Sequence, residues 1–137
     1  MLFFKKKEVK IPPAFLYGDA RTKQLLEQMV AEYNSIKGIA QLGEFQKYHG
    51  QICRLHKENK IFIYAGECDF EYLMTLLYND GPEFSACIIF GVDKDTFYEI
   101  GVCVRGTPML KKINIDTKET KKHIKRMRGK VGIFFEK

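Results

Sequence analysis

The stretch from Phe84 to Arg105 limits what this chain can fold into more than any other part of it. It reads Phe-Ser-Ala-Cys-Ile-Ile-Phe-Gly-Val, then Asp93-Lys94-Asp95-Thr96, then Phe-Tyr-Glu-Ile-Gly-Val-Cys-Val-Arg. Two runs rich in β-branched and aromatic residues around a short polar turn spell a β-hairpin. With Asp93 to Thr96 as a four-residue loop, Val92 lies opposite Phe97 and pairing proceeds outward from there. One face then stacks Gly91 on Tyr98, Ile89 on Ile100, Cys87 on Val102 and Ser85 on Val104. The other stacks Phe90 on Glu99, Ile88 on Gly101, Ala86 on Cys103 and Phe84 on Arg105. The first face is nearly all apolar and is expected to be the core side. The second is also apolar apart from Glu99 and Arg105, so the hairpin belongs in mid-sheet with cover on both sides. A slip of one residue would exchange the two faces.

The rest of the chain supplies helices and further strands. Met1 to Lys10 reads as a short strand or an arm, and Pro12-Pro13 ends it, so residues 1–13 form an arm or edge strand. Asp19 is placed to cap a helix over 19–37 in which Leu25, Leu26, Met29, Val30, Tyr33 and Ile36 recur at helical spacing, with Gly38 at its end. Residues 39–57 allow two readings. Leu42, Phe45, His49, Ile52 and Leu55 fit one helix, whereas a break at Gly50 would leave Ile52–His56 and Ile61–Ala65 as strands joined through Lys57-Glu58-Asn59-Lys60. Glycine inside a helix costs roughly 1 kcal/mol relative to alanine, which tips the balance toward the hairpin. Asp69 can cap a helix carrying Phe70, Leu73, Met74, Leu77 and Tyr78, ended by Asn79-Asp80-Gly81-Pro82. A strand is expected near Leu110–Ile115, and Val131, Ile133 and Phe135 give a last one. Adjacent strands with short connections predict one α+β domain over 1–137, a mainly antiparallel sheet of five or six strands with three or four helices beside it.

Charge is the second constraint. The net charge is +6, and Lys111 to Lys130 carries nine Lys and Arg against Asp116 and Glu119, a local excess of +7. Met1 to Lys10 adds +3, the last seven residues are neutral, and residues 11–110 come to −4. The larger excess therefore lies toward the second end, much of it on a helix over 117–128 that Asp116 and Glu119 would open as a capping box. Only Thr120, Ile124 and Met127 form a stripe on that helix, which places it at the surface. Lys118, Lys121, Lys122, Lys125, Arg126 and Arg128, with Lys130 beyond the cap at Gly129, could neutralise phosphates or an acidic protein surface. Aromatic residues are absent between Lys111 and Lys130, which argues against base stacking there.

Chemistry leaves a fainter trace. No Ser-His-Asp order, nucleophile elbow, P-loop or G-x-G-x-x-G is present, so catalysis is not expected and no catalytic residue is assigned. His49, Cys53 and His56 fall on one face if 39–57 is a single helix, and imidazole with thiolate suits zinc. A fourth ligand is missing, and neither a metal nor a cofactor is expected. The four cysteines contain no C-x-x-C pair and read as reduced thiols. Glu99, among apolar neighbours, could act as a general acid or base in a pocket shared with Cys103 and Arg105.

The leading expectation is thus a non-catalytic binding or regulatory protein that presents the basic helix to an acidic partner, with nucleic acid as one candidate. The alternative is a small-molecule-binding protein or small enzyme with its pocket beside Glu99. A homo-oligomer pairing through the strand at 131–135 is a third expectation. No apolar run approaches the roughly 18–20 residues that span a bilayer, and no secretory signal precedes the first lysines, so the expected location is cytoplasmic.

Overall fold

A computed structural model describes residues 19–67, 86–103 and 107–126. Within them the chain is α+β, with three helices and one four-stranded antiparallel sheet. In chain order these are α1 (Ala20–Asn34), α2 (Ile39–Lys57), β1 (Phe62–Glu67), β2 (Ala86–Gly91), β3 (Phe97–Cys103), β4 (Thr107–Ile113) and α3 (Lys118–Arg126). The strands lie in sequence order, so the Phe84–Arg105 hairpin supplies the two central ones. The five or six expected strands exceed the four described. The expected arm at 1–13, the helix beginning at Asp69 and the strand at 131–135 lie outside the described residues.

The first helix begins where the sequence placed it. Asp19 Oδ1 accepts the Arg21 N–H at 2.9 Å, and Thr22 Oγ1 donates to Asp19 Oδ2 at 3.0 Å. Leu26, Met29 and Tyr33 bury completely or nearly so. It stops earlier than 37: Ser35 is its C-cap, and Gly38, at φ +69°, stands at the start of α2 instead. The turn at Ser35–Lys37 is short because only glycine enters that left-handed conformation at little cost.

The strand expected at Ile52–His56 is overturned, for Ile39–Lys57 is one helix of 19 residues. Phe45, Tyr48, Ile52 and Leu55 follow one another along its buried face. Four large side chains taken out of water contribute several kcal/mol, well above the roughly 1 kcal/mol cost of Gly50. Tyr48 also meets Tyr33 of α1 edge-on, with centroids 5.0 Å apart. Asn59, in the left-handed region at φ 60°, then turns the chain into β1.

The hairpin pairs one residue away from the expected register. Gly91 lies opposite Phe97, Phe90 opposite Tyr98, Ile89 opposite Glu99, Ile88 opposite Ile100 and Cys87 opposite Gly101. The loop is therefore five residues long, Val92 to Thr96. Asp93 sets it: Oδ1 accepts the N–H groups of both Asp95 and Thr96 at 2.8 Å, while the Val92 N–H donates to the Thr96 carbonyl at 3.1 Å. The slip regroups the β2 side chains. Ile88, Phe90, Tyr98, Ile100 and Leu110 pack with Ile61 and Ile63 beneath α1 and α2. Cys87, Ile89 and Phe97 join Phe62, Ala65 and Ile124 on the opposite face, beneath α3. A β-bulge between Ile63 and Ala65 lets Phe62 and Ala65 share that second face.

Asp93 also pairs with Lys23 Nζ of α1, which ties the loop to a helix. Burial pushes its carboxyl up, but Lys23, the Asp95 N–H and the Thr96 side chain outweigh that and hold it below the ordinary aspartate value. A carboxyl whose pKa is depressed in the folded chain stabilises fully above its unfolded pKa, near 3.8, and that stability is lost as pH falls through the lower folded value. Asp93→Ala should cost about 1–3 kcal/mol at neutral pH, since two loop amides lose their acceptor at a buried position. The deficit should shrink below about pH 4, as the wild-type carboxylate is itself protonated. Urea unfolding of both proteins from pH 7 to pH 2.5 measures it, and an unchanging deficit would contradict the role given to the carboxylate.

Candidate functional site: the α3 face of the sheet

The third helix begins one residue later than the capping box predicted. Thr117, not Asp116, is the cap: its Oγ1 accepts the Thr120 N–H at 3.1 Å, and its carbonyl accepts the Lys121 N–H at 3.0 Å. Asn114 Oδ1 takes the Asp116 N–H at 2.8 Å, so Asp116 belongs to the turn that precedes the helix. Helical spacing from there places residues 120, 123 and 124 on one side of the helix and 118, 121, 122 and 125 on the other.

That division is what the structure displays. Ile124 is 3% exposed and packs into the cluster of Phe62, Ala65, Cys87, Ile89 and Phe97. Lys118, Lys121, Lys122 and Lys125 are exposed. At roughly 100° per residue these four fall within an arc of about 100°, directly away from the sheet. The four described lysines form a stripe. Among the described residues none of the four makes an ion pair, while Lys23, Lys47, Lys60 and Lys112 each do. Arg126 ends the described helix; Arg128 and Lys130 lie outside the described residues.

Beneath the helix is a second grouping. His123 Nε2 lies 2.9 Å from Glu99 Oε2, and the Glu99 side chain is 6% exposed against 29% for His123. Cys87 belongs to the same place, with its Sγ, a Glu99 carboxylate oxygen and a His123 ring nitrogen all within 4.8 Å of one another. The register explains the meeting. Ile89 stands opposite Glu99 and Cys87 opposite Gly101, so Cys87 is the diagonal neighbour of Glu99 on one face. Gly101 offers no side chain beside them. Glu99 therefore lies under α3. Of its two expected companions, the Cys103 side chain and Arg105 lie outside the described residues.

Cys87 and His123 escaped the sequence reading for two reasons. The four-residue loop put Cys87 on the face away from Glu99, and His123 was hidden in a lysine run. The signal for His123 was its spacing: it stands three residues after Thr120 and one before Ile124, on the buried stripe.

The trio on α2 fares differently. His49 and Cys53 do meet, with Sγ 3.7 Å from Nε2, and burial lowers the His56 pKa. Among the described residues the one three-ligand grouping is nevertheless Cys87, Glu99 and His123, and His56 does not close on the other two. A cleft of about 330 Å³ lies at the end of the sheet between Lys94, Asp95, Phe97, Lys112, Ile113 and Asn114. Its mixed charges mark no particular ligand. No described helix is long and apolar enough to cross a membrane.

No family model, no curated protein and no solved structure matches this chain.

Proposed function

We propose that the protein is a non-catalytic binding protein that presents the lysine stripe of its third helix to an acidic partner, with the phosphate backbone of a nucleic acid as the first partner to test. The observation that carries this reading is the exposure of Lys118, Lys121, Lys122 and Lys125 with no ion-pair partner among the described residues, on a helix seated by Ile124 and His123. Several ammonium groups held on one side of a rod repel one another, and an anionic surface relieves that repulsion while releasing counterions. The stripe runs about 10 Å along the helix axis, enough to meet roughly three phosphates of one strand. With no aromatic residue in 111–130, the contact would follow charge and shape and carry little sequence preference.

The test is a salt titration of binding to duplex and single-stranded oligonucleotides. Binding at low salt should weaken with a slope of about −3 in log affinity against log salt. Changing Lys121, Lys122, Lys125 and Arg126 together to Glu should abolish it while the thermal melt stays cooperative. No binding at low salt, or a slope indifferent to the charge reversal, removes nucleic acid as the partner and leaves acidic protein surfaces.

A further inference from the structure

We propose that Cys87, Glu99 and His123 form a binding site for a divalent transition-metal ion, zinc foremost, clamped between the sheet and the third helix. Thiolate sulfur, carboxylate oxygen and imidazole nitrogen are the three ligand types that zinc takes from proteins. The three ligand atoms already lie within 4.8 Å of one another. Bonds of 2.0–2.3 Å in a tetrahedron place ligand atoms about 3.5 Å apart, so closing on an ion requires shifts of about 1 Å in these atoms.

The surroundings strengthen the case. Cys87 is 1% exposed and Glu99 5%, on a face otherwise built from Phe62, Ala65, Ile89, Phe97 and Ile124. Buried charge needs compensation. A thiolate and a carboxylate together carry two negative charges, which a divalent cation cancels, while the imidazole binds as a neutral ligand. Binding would release the Cys87 thiol proton, and the His123 proton wherever that ring is protonated. Two features of the fold bring the ligands together: the β2–β3 register aligns Cys87 with Glu99, and the inward side of α3 adds His123. With the His123 side chain 29% exposed, water can reach the site and would complete the four ligands, as in zinc sites with three protein ligands. This inference does not depend on the lysine stripe having any partner.

The experiment uses the whole chain, reduced and freed of metal, titrated with cobalt(II) and then with zinc. Cobalt should bind one equivalent with a thiolate-to-metal charge-transfer band and tetrahedral visible bands, and zinc should displace it. Cys87→Ser should lose the charge-transfer band, whereas Cys53→Ser should keep it. Glu99→Gln and His123→Gln should each weaken zinc binding at least tenfold. Since Cys87 and Glu99 are buried, His123→Gln, on a surface helix, guards against misfolding. Zinc at a hundredfold excess over the wild-type dissociation constant should raise the melting temperature of the wild type, and that of His123→Gln by about half as much or less. A charge-transfer band that survives Cys87→Ser, or that vanishes with Cys53→Ser, would overturn the site. So would zinc stabilisation that is undiminished in His123→Gln.

Discussion

Phe90→Ala should destabilise the protein by about 3–5 kcal/mol, with an unchanged denaturant slope. Phe90 is fully buried beneath α1 and α2, within the cluster that contains Leu26, Met29, Phe45 and Ile100. Its ring stacks on Tyr98 with centroids 5.8 Å apart and planes 19° apart. Removing the ring forfeits its transfer free energy and leaves a cavity that the sheet on one side and two helices on the other cannot close. The pairing register can be read from the same substitution. In a double-mutant cycle Phe90→Ala should couple to Tyr98→Leu by about 0.5–1.5 kcal/mol, the range for an aromatic pair. It should be additive with Glu99→Gln, which the five-residue loop places on the other face. Coupling to Glu99 and not to Tyr98 would restore the four-residue loop. Tyr98→Phe sharpens the comparison, because the Tyr98 hydroxyl is buried without a hydrogen-bond partner among the described residues. Burial pushes its pKa up to about 12, with the charges of Glu27 and Asp93 adding to the shift. Deleting that oxygen should cost little, in contrast to the loss of the Phe90 ring.

The strands of this hairpin were legible in the sequence; their alignment was not. Alternation identifies a face only when one side is polar, and here both sides are apolar because α1 and α2 cover one and α3 the other. What decided the alignment was a loop detail. Asp93 folds back onto the amides of Asp95 and Thr96, which draws Val92 into the loop and lengthens it from four residues to five. The single helix over 39–57, one of two readings, was ranked second on similar grounds. Gly50 is a local signal against a helix, and the burial of Phe45, Tyr48, Ile52 and Leu55 is a tertiary one that outweighs it. The first helix was read correctly at its start because its decisive signal, Asp19 capping Arg21, is local.

The two features of the α3 face differ in the same way. The lysine stripe is written in consecutive residues, and its helix was found to within a residue at the N-terminus. The grouping of Cys87, Glu99 and His123 draws on two strands and a helix, so it exists only once the β2–β3 register is known. Glu99 drew notice as a carboxylate among apolar residues, but its partners could not be named from a register one residue out. Sequence reveals charge density along a helix readily. It conceals convergence between elements whenever convergence depends on loop length.

Gly91→Val tests the hairpin from its other face, and about 3 kcal/mol should be lost. Gly91 lies opposite Phe62 of β1 and Phe97 of β3, and these two rings meet over it edge-to-face at 5.8 Å. A Cβ at Gly91 would stand 2.6 Å from Phe62 Cζ and 2.9 Å from Phe97 Cε2, closer than carbon atoms approach. Neither ring can swing aside cheaply. Phe62 is 4% exposed and Phe97 1%, and Tyr64 abuts Phe97 at 5.2 Å. The glycine is therefore needed for space, not for an unusual backbone angle. Two consequences separate this explanation from a general intolerance of larger residues in a central strand. Gly91→Ala should already lose well over 1 kcal/mol, although alanine is otherwise as acceptable in a strand as glycine. Shortening the offending ring should then recover part of the loss, so that Phe62→Leu costs less in the Gly91→Ala background than in the wild type. A favourable coupling of about 1 kcal/mol in that cycle is the expected result. Strict additivity would mean that the strain lies elsewhere and that the two rings do not close over Gly91.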